Sequence, residues 1–202
     1  MSDLILLDVD GVLLFDPIPP FWLDDAERLY DSISAEDEPH ADRSCNIVET
    51  ITVTDMAGDQ SDVEYRPSVI EALRAVHDAG TRIGWLTSWL TVPDRLAELA
   101  DQLDIGFVEL PDDIDLLRPE NVGIDPKRGL AHWKSRAVGT HAYFSGDRVL
   151  WIDDQVQLRF ADELPDAVSF ISPSSSFGLE RAGVARMRRW AAGERVESLQ
   201  QW

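Results

Sequence analysis

Short apolar runs that stop abruptly at polar residues set the rhythm of this chain. Leu4-Ile5-Leu6-Leu7 ends at Asp8, Arg82-Ile83-Gly84-Trp85-Leu86 at Thr87-Ser88, Val149-Leu150-Trp151-Ile152 at Asp153-Asp154, and Ala167-Val168-Ser169-Phe170-Ile171 at Ser172-Pro173. Runs this short and mostly apolar suit strands buried on both faces, as in a parallel sheet. Residues 106–110 form a weaker fifth candidate. Helical periodicity fills the intervals. Residues 68–79 carry Val69, Ile70, Leu73 and Val76 on one face with Gly80 as a stop, and residues 93–103 carry Leu96, Leu99, Ala100 and Leu103 behind Pro93. Residues 129–138 and 155–164 predict shorter helices, and residues 179–192 an amphipathic one with Arg186, Arg188 and Arg189 near its C-terminal end. Strands alternating with helices predict βαβ units. The fold expected is an α/β, Rossmann-like three-layer sandwich: a central parallel sheet of about five strands with helices on both faces.

Residues 14–66 interrupt the alternation. They read as a proline-rich loop (15–20), a helix (21–33), a mobile acidic loop (34–44) and then a β-hairpin formed by 46–54 and 63–65 around Met56-Ala57-Gly58-Asp59. This insert is expected to form a flap or small cap over the end of the first strand. Residues 193–202 read as a loosely docked tail, and residues 1–202 as one domain.

Composition changes the picture in two ways. There are 38 acidic against 18 basic residues, a net charge of −20, which argues against tight nucleic-acid binding and against docking to an anionic membrane. The single cysteine, Cys45, excludes an internal disulfide. A cytoplasmic location is expected, since no basic leader or long apolar span is present. Only Lys127 and Lys134 are lysines.

The chemistry gathers where the apolar runs stop. In open α/β sheets ligands sit beyond the carboxyl ends of the strands. Asp8 and Asp10 follow one run at i, i+2 spacing with Gly11 to turn the chain; Asp153 and Asp154 follow another. Clustered carboxylates repel and raise one another's pKa values, a conflict that a divalent cation relieves, and Mg²⁺ suits such oxygen ligands. An EF-hand loop beginning at Asp8 is excluded: its sixth and twelfth positions would be Leu13 and Pro19.

Asp8-Val9-Asp10-Gly11-Val12, then Thr87-Ser88-Trp89, then His132-Trp133-Lys134, then Trp151-Ile152-Asp153-Asp154 resemble, in order, the four motifs of the haloacid-dehalogenase (HAD) superfamily, mostly phosphatases. The narrower resemblance is to a small-cap bacterial branch, some of whose relatives carry HAD domains associated with RNA repair. The resemblance implies Asp8 as nucleophile and Asp10 as general acid/base. Thr87 would bind a phosphoryl oxygen and Lys134 would supply positive charge. Mg²⁺ would be held by Asp8, Asp10 through its backbone carbonyl, and Asp153 or Asp154. Gly11, Ser88 and Trp89 are the expected substrate contacts. The expected activity is phosphomonoester hydrolysis of a phosphorylated substrate: a small metabolite, a nucleotide or a polynucleotide end. A non-catalytic or regulatory binding domain of the same fold is the alternative. Plainer readings stand beside these: Thr87 and Asp153-Asp154 as helix caps, Trp85 and Trp151 as core, and Lys127 in place of Lys134.

Overall fold

The computed structural model describes residues 2–16, 47–55, 58–110, 129–155, 164–175, 177–196 and 199–200. In chain order the elements are β1 (Asp3–Leu7), β2 (Glu49–Thr54), β3 (Gln60–Tyr65), α1 (Pro67–Asp78), β4 (Arg82–Trp85), a 3₁₀ turn (Ser88–Thr91), α2 (Pro93–Gln102), α3 (Gly129–Ser145), β5 (Arg148–Ile152), β6 (Val168–Ser172), α4 (Arg181–Ala191) and a two-residue β7 (Leu199–Gln200).

The four apolar runs become four parallel strands in the order β4-β1-β5-β6, and β7 adds a short pairing at the β6 edge. β1 is central, with Leu7 level with Trp85 on one side and with Ile152 on the other. The absence of alternation now has its cause. Ile5, Leu7, Ile83, Trp85, Leu150, Ile152 and Ile171 join one core with residues of α1, α2 and α4. Leu4, Leu6, Val149, Trp151 and Phe170 join a second core with Trp133, Ala137, Val138 and Ala142 of α3. Successive side chains point to opposite faces, and both faces are dry. Each buried Leu, Ile or Val contributes roughly 1.5–3 kcal/mol.

Chain order and spatial order part company at β1. The chain leaves β1 for β4 on one side and returns with β5 on the other, so the order reverses between β1 and β5. Such a switch point opens a crevice at the carboxyl ends of the two strands. The hairpin β2–β3 is antiparallel, with Thr52 Oγ1 donating to Asp62 across it at 2.7 Å. Ile51, Val63 and Tyr65 pack against the first core, where Val53 is buried. Phe15 ties this hairpin to the segment after β1, exchanging backbone hydrogen bonds with Glu64 at 3.0 and 2.9 Å.

Three details depart from the sequence expectation. A fifth full strand at 106–110 is not formed. Gly106 and Phe107 lie in a turn, Phe107 stacks on His77 at 4.9 Å, and only Glu109 bridges the β4 edge. The helix expected at 129–138 runs on to Ser145, with Gly139 in its interior. The segment read as a tail contributes the β7 pairing. The helix and loop expected at 21–33 and 34–44, most of 155–164, and Lys127 lie outside the described residues. Among the described residues, no helix is long and apolar enough to cross a membrane.

Candidate active site

β1 delivers Asp8 into the crevice. Its N–H donates to the Ile152 carbonyl at 3.0 Å, so the ladder with β5 continues one residue past the strand. The chain then coils sharply. Leu13 and Leu14 donate to the Val9 carbonyl at 2.9 and 3.1 Å, and Gly11 donates to Leu14 at 2.8 Å. Buried Val9, Val12, Leu13 and Leu14 anchor this coil in the core. Gly11 is required twice over. Its φ is +69°, and a Cβ there would lie 2.5 Å from Asp154 Oδ2.

Lys134 reaches the same place from α3. Its side chain is buried, and Nζ donates to Asp8 Oδ2 at 2.5 Å and to Asp153 Oδ2 at 2.6 Å. Burial alone would favour the neutral amine. The Asp8 and Asp153 carboxylates outweigh it and hold the pKa above the ordinary lysine value.

The two adjacent acids of β5's end differ. Asp153 is fully buried and engaged on both oxygens. Oδ2 takes Lys134 and, at 3.3 Å, the Trp151 indole N–H; Oδ1 accepts from the Gln155 N–H at 2.8 Å. The helix that Asp153-Asp154 were read as capping, from residue 155 on, lies outside the described residues. Burial, then the Asp8 charge, pushes the Asp153 pKa up to about 7 against the pull of Lys134. Asp154 is partly exposed, yet its Oδ1 is buried without a hydrogen-bond partner. Burial and the Asp8 charge raise its pKa to about 6. One ligand oxygen from each of Asp8, Asp153 and Asp154 lies within 4.8 Å of the others, a grouping that could hold a metal ion. Among the described residues a single ammonium faces three carboxyl groups, so cationic charge is short there.

Asp10 does not join that grouping through its carboxylate. It is exposed, and Oδ2 accepts from the Trp89 indole N–H at 2.9 Å. Burial of part of its surface raises its pKa, the Trp89 bond lowers it, and the nearby Asp8 charge raises it again. Thr87 stands beside β1's end, since Leu86 N–H donates to the Leu7 carbonyl at 2.8 Å. The Thr87 hydroxyl accepts from Trp89 N–H at 3.3 Å and caps the 3₁₀ turn. Ser88 is partly exposed, and its carbonyl accepts from Thr91.

The structure therefore brings Asp8, Lys134, Asp153, Asp154 and Gly11 into one cluster, with Thr87 at the neighbouring strand end and Asp10 on Trp89. Trp89, expected as a substrate contact, is 3% exposed. Trp85 and Trp151 are core residues, as their strand positions implied. Sequence reasoning missed the Trp151–Asp153 bond, although two residues of one strand separated by one share a face. The Asp10–Trp89 bond spans 79 positions and has no sequence signal. No family model, curated protein or solved structure matches the chain.

Proposed function

We propose that this protein is a Mg²⁺-dependent phosphomonoester phosphatase of the haloacid-dehalogenase type, with Asp8 as the nucleophile and an aspartyl-phosphate intermediate. The observation that carries the reading is the pairing of a buried Lys134 ammonium on Asp8 with an unpartnered Asp154 oxygen in the same carboxylate cluster, at the sheet's switch point. The four motifs resembling that superfamily, in its order, add to it.

The residues fit a hard divalent cation. The donor set is all oxygen, cationic charge is short, and the orphaned Asp154 Oδ1 lacks the partner a buried carboxylate oxygen requires. Asp8, Asp154 and the Asp10 backbone carbonyl would hold it. Asp153, engaged by Lys134, Trp151 and Gln155, keeps an acceptor site and would be the third carboxylate of the set. When bound, Mg²⁺ would screen the nucleophile from an anionic phosphate and offset charge on the phosphoryl oxygens.

The chain's own residues divide the rest. An Asp8 carboxylate oxygen forms a bond to phosphorus as the ester P–O bond breaks, and Asp10 gives its proton to the departing oxygen. Asp10, now a carboxylate, takes a proton from water as that water attacks phosphorus, releasing inorganic phosphate and restoring Asp8. Val9 N–H holds Asp8 Oδ1 at 2.9 Å and Lys134 holds Oδ2, so the nucleophile is oriented before substrate arrives. The Thr87 hydroxyl spends its oxygen on Trp89 and keeps its proton to donate to a phosphoryl oxygen.

The test is phosphate release from p-nitrophenyl phosphate with and without Mg²⁺, with Asp8→Asn and Asp154→Asn alongside. Asp8→Asn is expected to abolish turnover. Asp154→Asn is expected to raise the Mg²⁺ requirement by more than the roughly 10–100-fold typical of supporting residues. No Mg²⁺-dependent, Asp8-dependent release from this ester or from a panel of sugar phosphates, nucleotides and 3′- and 5′-phosphorylated oligonucleotides would reduce the protein to a binding domain of the same fold.

A further inference from the structure

We propose that Trp89 is a positioning residue for Asp10, fixing through its indole N–H which carboxylate oxygen carries the transferable proton and tying that oxygen to the β2–β3 hairpin. The proposal rests on the reading of Asp10 as the proton donor to the leaving oxygen.

An exposed aspartate at the mouth of a crevice ordinarily turns freely about its side-chain bonds. Asp10 is exposed, but Oδ2 accepts from Trp89 Nε1 at 2.9 Å. The indole N–H only donates. It therefore occupies Oδ2 as an acceptor in either protonation state and leaves Oδ1 to bear the proton.

Trp89 is buried and fixed through its backbone as well. Its backbone N–H is taken by Thr87 Oγ1 at 3.3 Å, and its carbonyl by Val92 N–H at 2.9 Å. Its surroundings include Val53 and Thr54 of β2 and Arg95, Glu98 and Leu99 of α2. Arg95 and Glu98 are themselves joined at 3.0 Å. Trp89 thus lines one small cavity with Val53 and Thr54 of the hairpin, while its indole N–H ends on the acid. The same residue hangs from the Thr87 hydroxyl, so the phosphoryl-binding and proton-transfer groups share one support.

A plain alternative is that Asp10 merely satisfies a buried indole N–H, which needs some partner. Leaving-group dependence separates the two. An aryl ester with an acidic leaving group departs without a proton; an alkyl ester requires one. Steady-state rates would be measured on p-nitrophenyl phosphate and ethyl phosphate for the wild type, Trp89→Phe, Asp10→Asn and the double variant.

Trp89→Phe is expected to lower kcat on ethyl phosphate by roughly 10–100-fold with KM unchanged, and on p-nitrophenyl phosphate by less than about threefold. In the Asp10→Asn background it should cause no further loss. Should the phenylalanine variant fail to fold, benzothienylalanine at position 89 keeps the bicyclic shape and lacks only the N–H; the same split is expected. Equal loss on both esters, or no loss on either, overturns the proposal. Equal loss on both esters in Asp10→Asn overturns the role of Asp10 and the proposal with it. No turnover of either ester by the wild type overturns the phosphatase reading.

Discussion

Lys134→Met removes the charge between Asp8 and Asp153 while keeping most of the side-chain volume. The lysine side chain is 3% exposed and its partners 5% and 0%, so water compensates neither side of the break. Removing one member of a buried pair typically costs about 3–5 kcal/mol, because the charge left behind is stranded. Here the stranded carboxylates have an escape, which is to take up a proton. Burial and the Asp8 charge already raise Asp153 to about 7 from an ordinary 3.8, and Lys134 is what pulls it down. The native state therefore holds an extra proton between those values. Its stability contribution is full at low pH and declines as pH rises across the window. Without Lys134 the upper limit moves further up. The variant should lose least near pH 5 and most near pH 8. With a urea m-value of about 2 kcal/mol/M, a loss of about 3–5 kcal/mol moves the midpoint down by about 1.5–2.5 M. Urea unfolding followed by circular dichroism, at both pH values and with and without Mg²⁺, measures it. Mg²⁺ should narrow the gap at pH 8, since it returns positive charge to the carboxylates. A loss below about 0.5 kcal/mol at pH 8, the size of an ordinary surface substitution, would refute the reasoning.

Two further outcomes follow from other contacts. Gly11→Ala forces a side chain into φ +69° and into the Asp154 carboxylate, so it should cost about 1–3 kcal/mol and abolish the rise in Tm that Mg²⁺ at the proposed site should give the wild type; an unchanged Tm in the variant would count against the close approach. Burial raises the Asp147 pKa, but the Ser2 N–H and hydroxyl and Ser145 outweigh it and hold it below its usual value. That stabilisation is present above the unfolded-state pKa and lost as pH falls through the folded one. Ser2→Ala should therefore cost about 0.5–1.5 kcal/mol at neutral pH, and the difference should close on acidification in a urea titration series.

What was legible in the sequence follows from geometry that repeats locally. Parallel strands buried on both faces must be apolar throughout, so their ends are marked wherever a polar residue first appears. Asp8, Thr87 and Asp153 were found that way. The scarcity of lysine narrowed the cation to Lys127 or Lys134, and only the second lies within the described residues, buried against two acids. The division of labour between Asp153 and Asp154 was not legible. Adjacent residues leaving a strand face opposite sides, but which side holds the lysine depends on α3, whose approach is a tertiary fact. The extent of α3 was not legible: the expected helix ended at Val138, and the structure carries it through Gly139 to Ser145. Trp89 was expected as a substrate contact because nothing local shows that it is buried.

The place of β1 in the middle of the sheet has a consequence for how the chain assembles. Its first partner, β4, begins at Arg82 and its second, β5, only at Arg148. A growing chain that has emitted a hundred residues can give Leu4-Ile5-Leu6-Leu7 one neighbour and leaves the other edge open, as a template for strands of other molecules. Asp8 waits nearly as long, since its ammonium partner lies 126 positions away. Closure of the sheet and assembly of the charged cluster are thus a single late event, and a chain truncated before β5 keeps Asp8 and Lys134 but lacks Asp153 and Asp154 and leaves one edge of β1 unpaired.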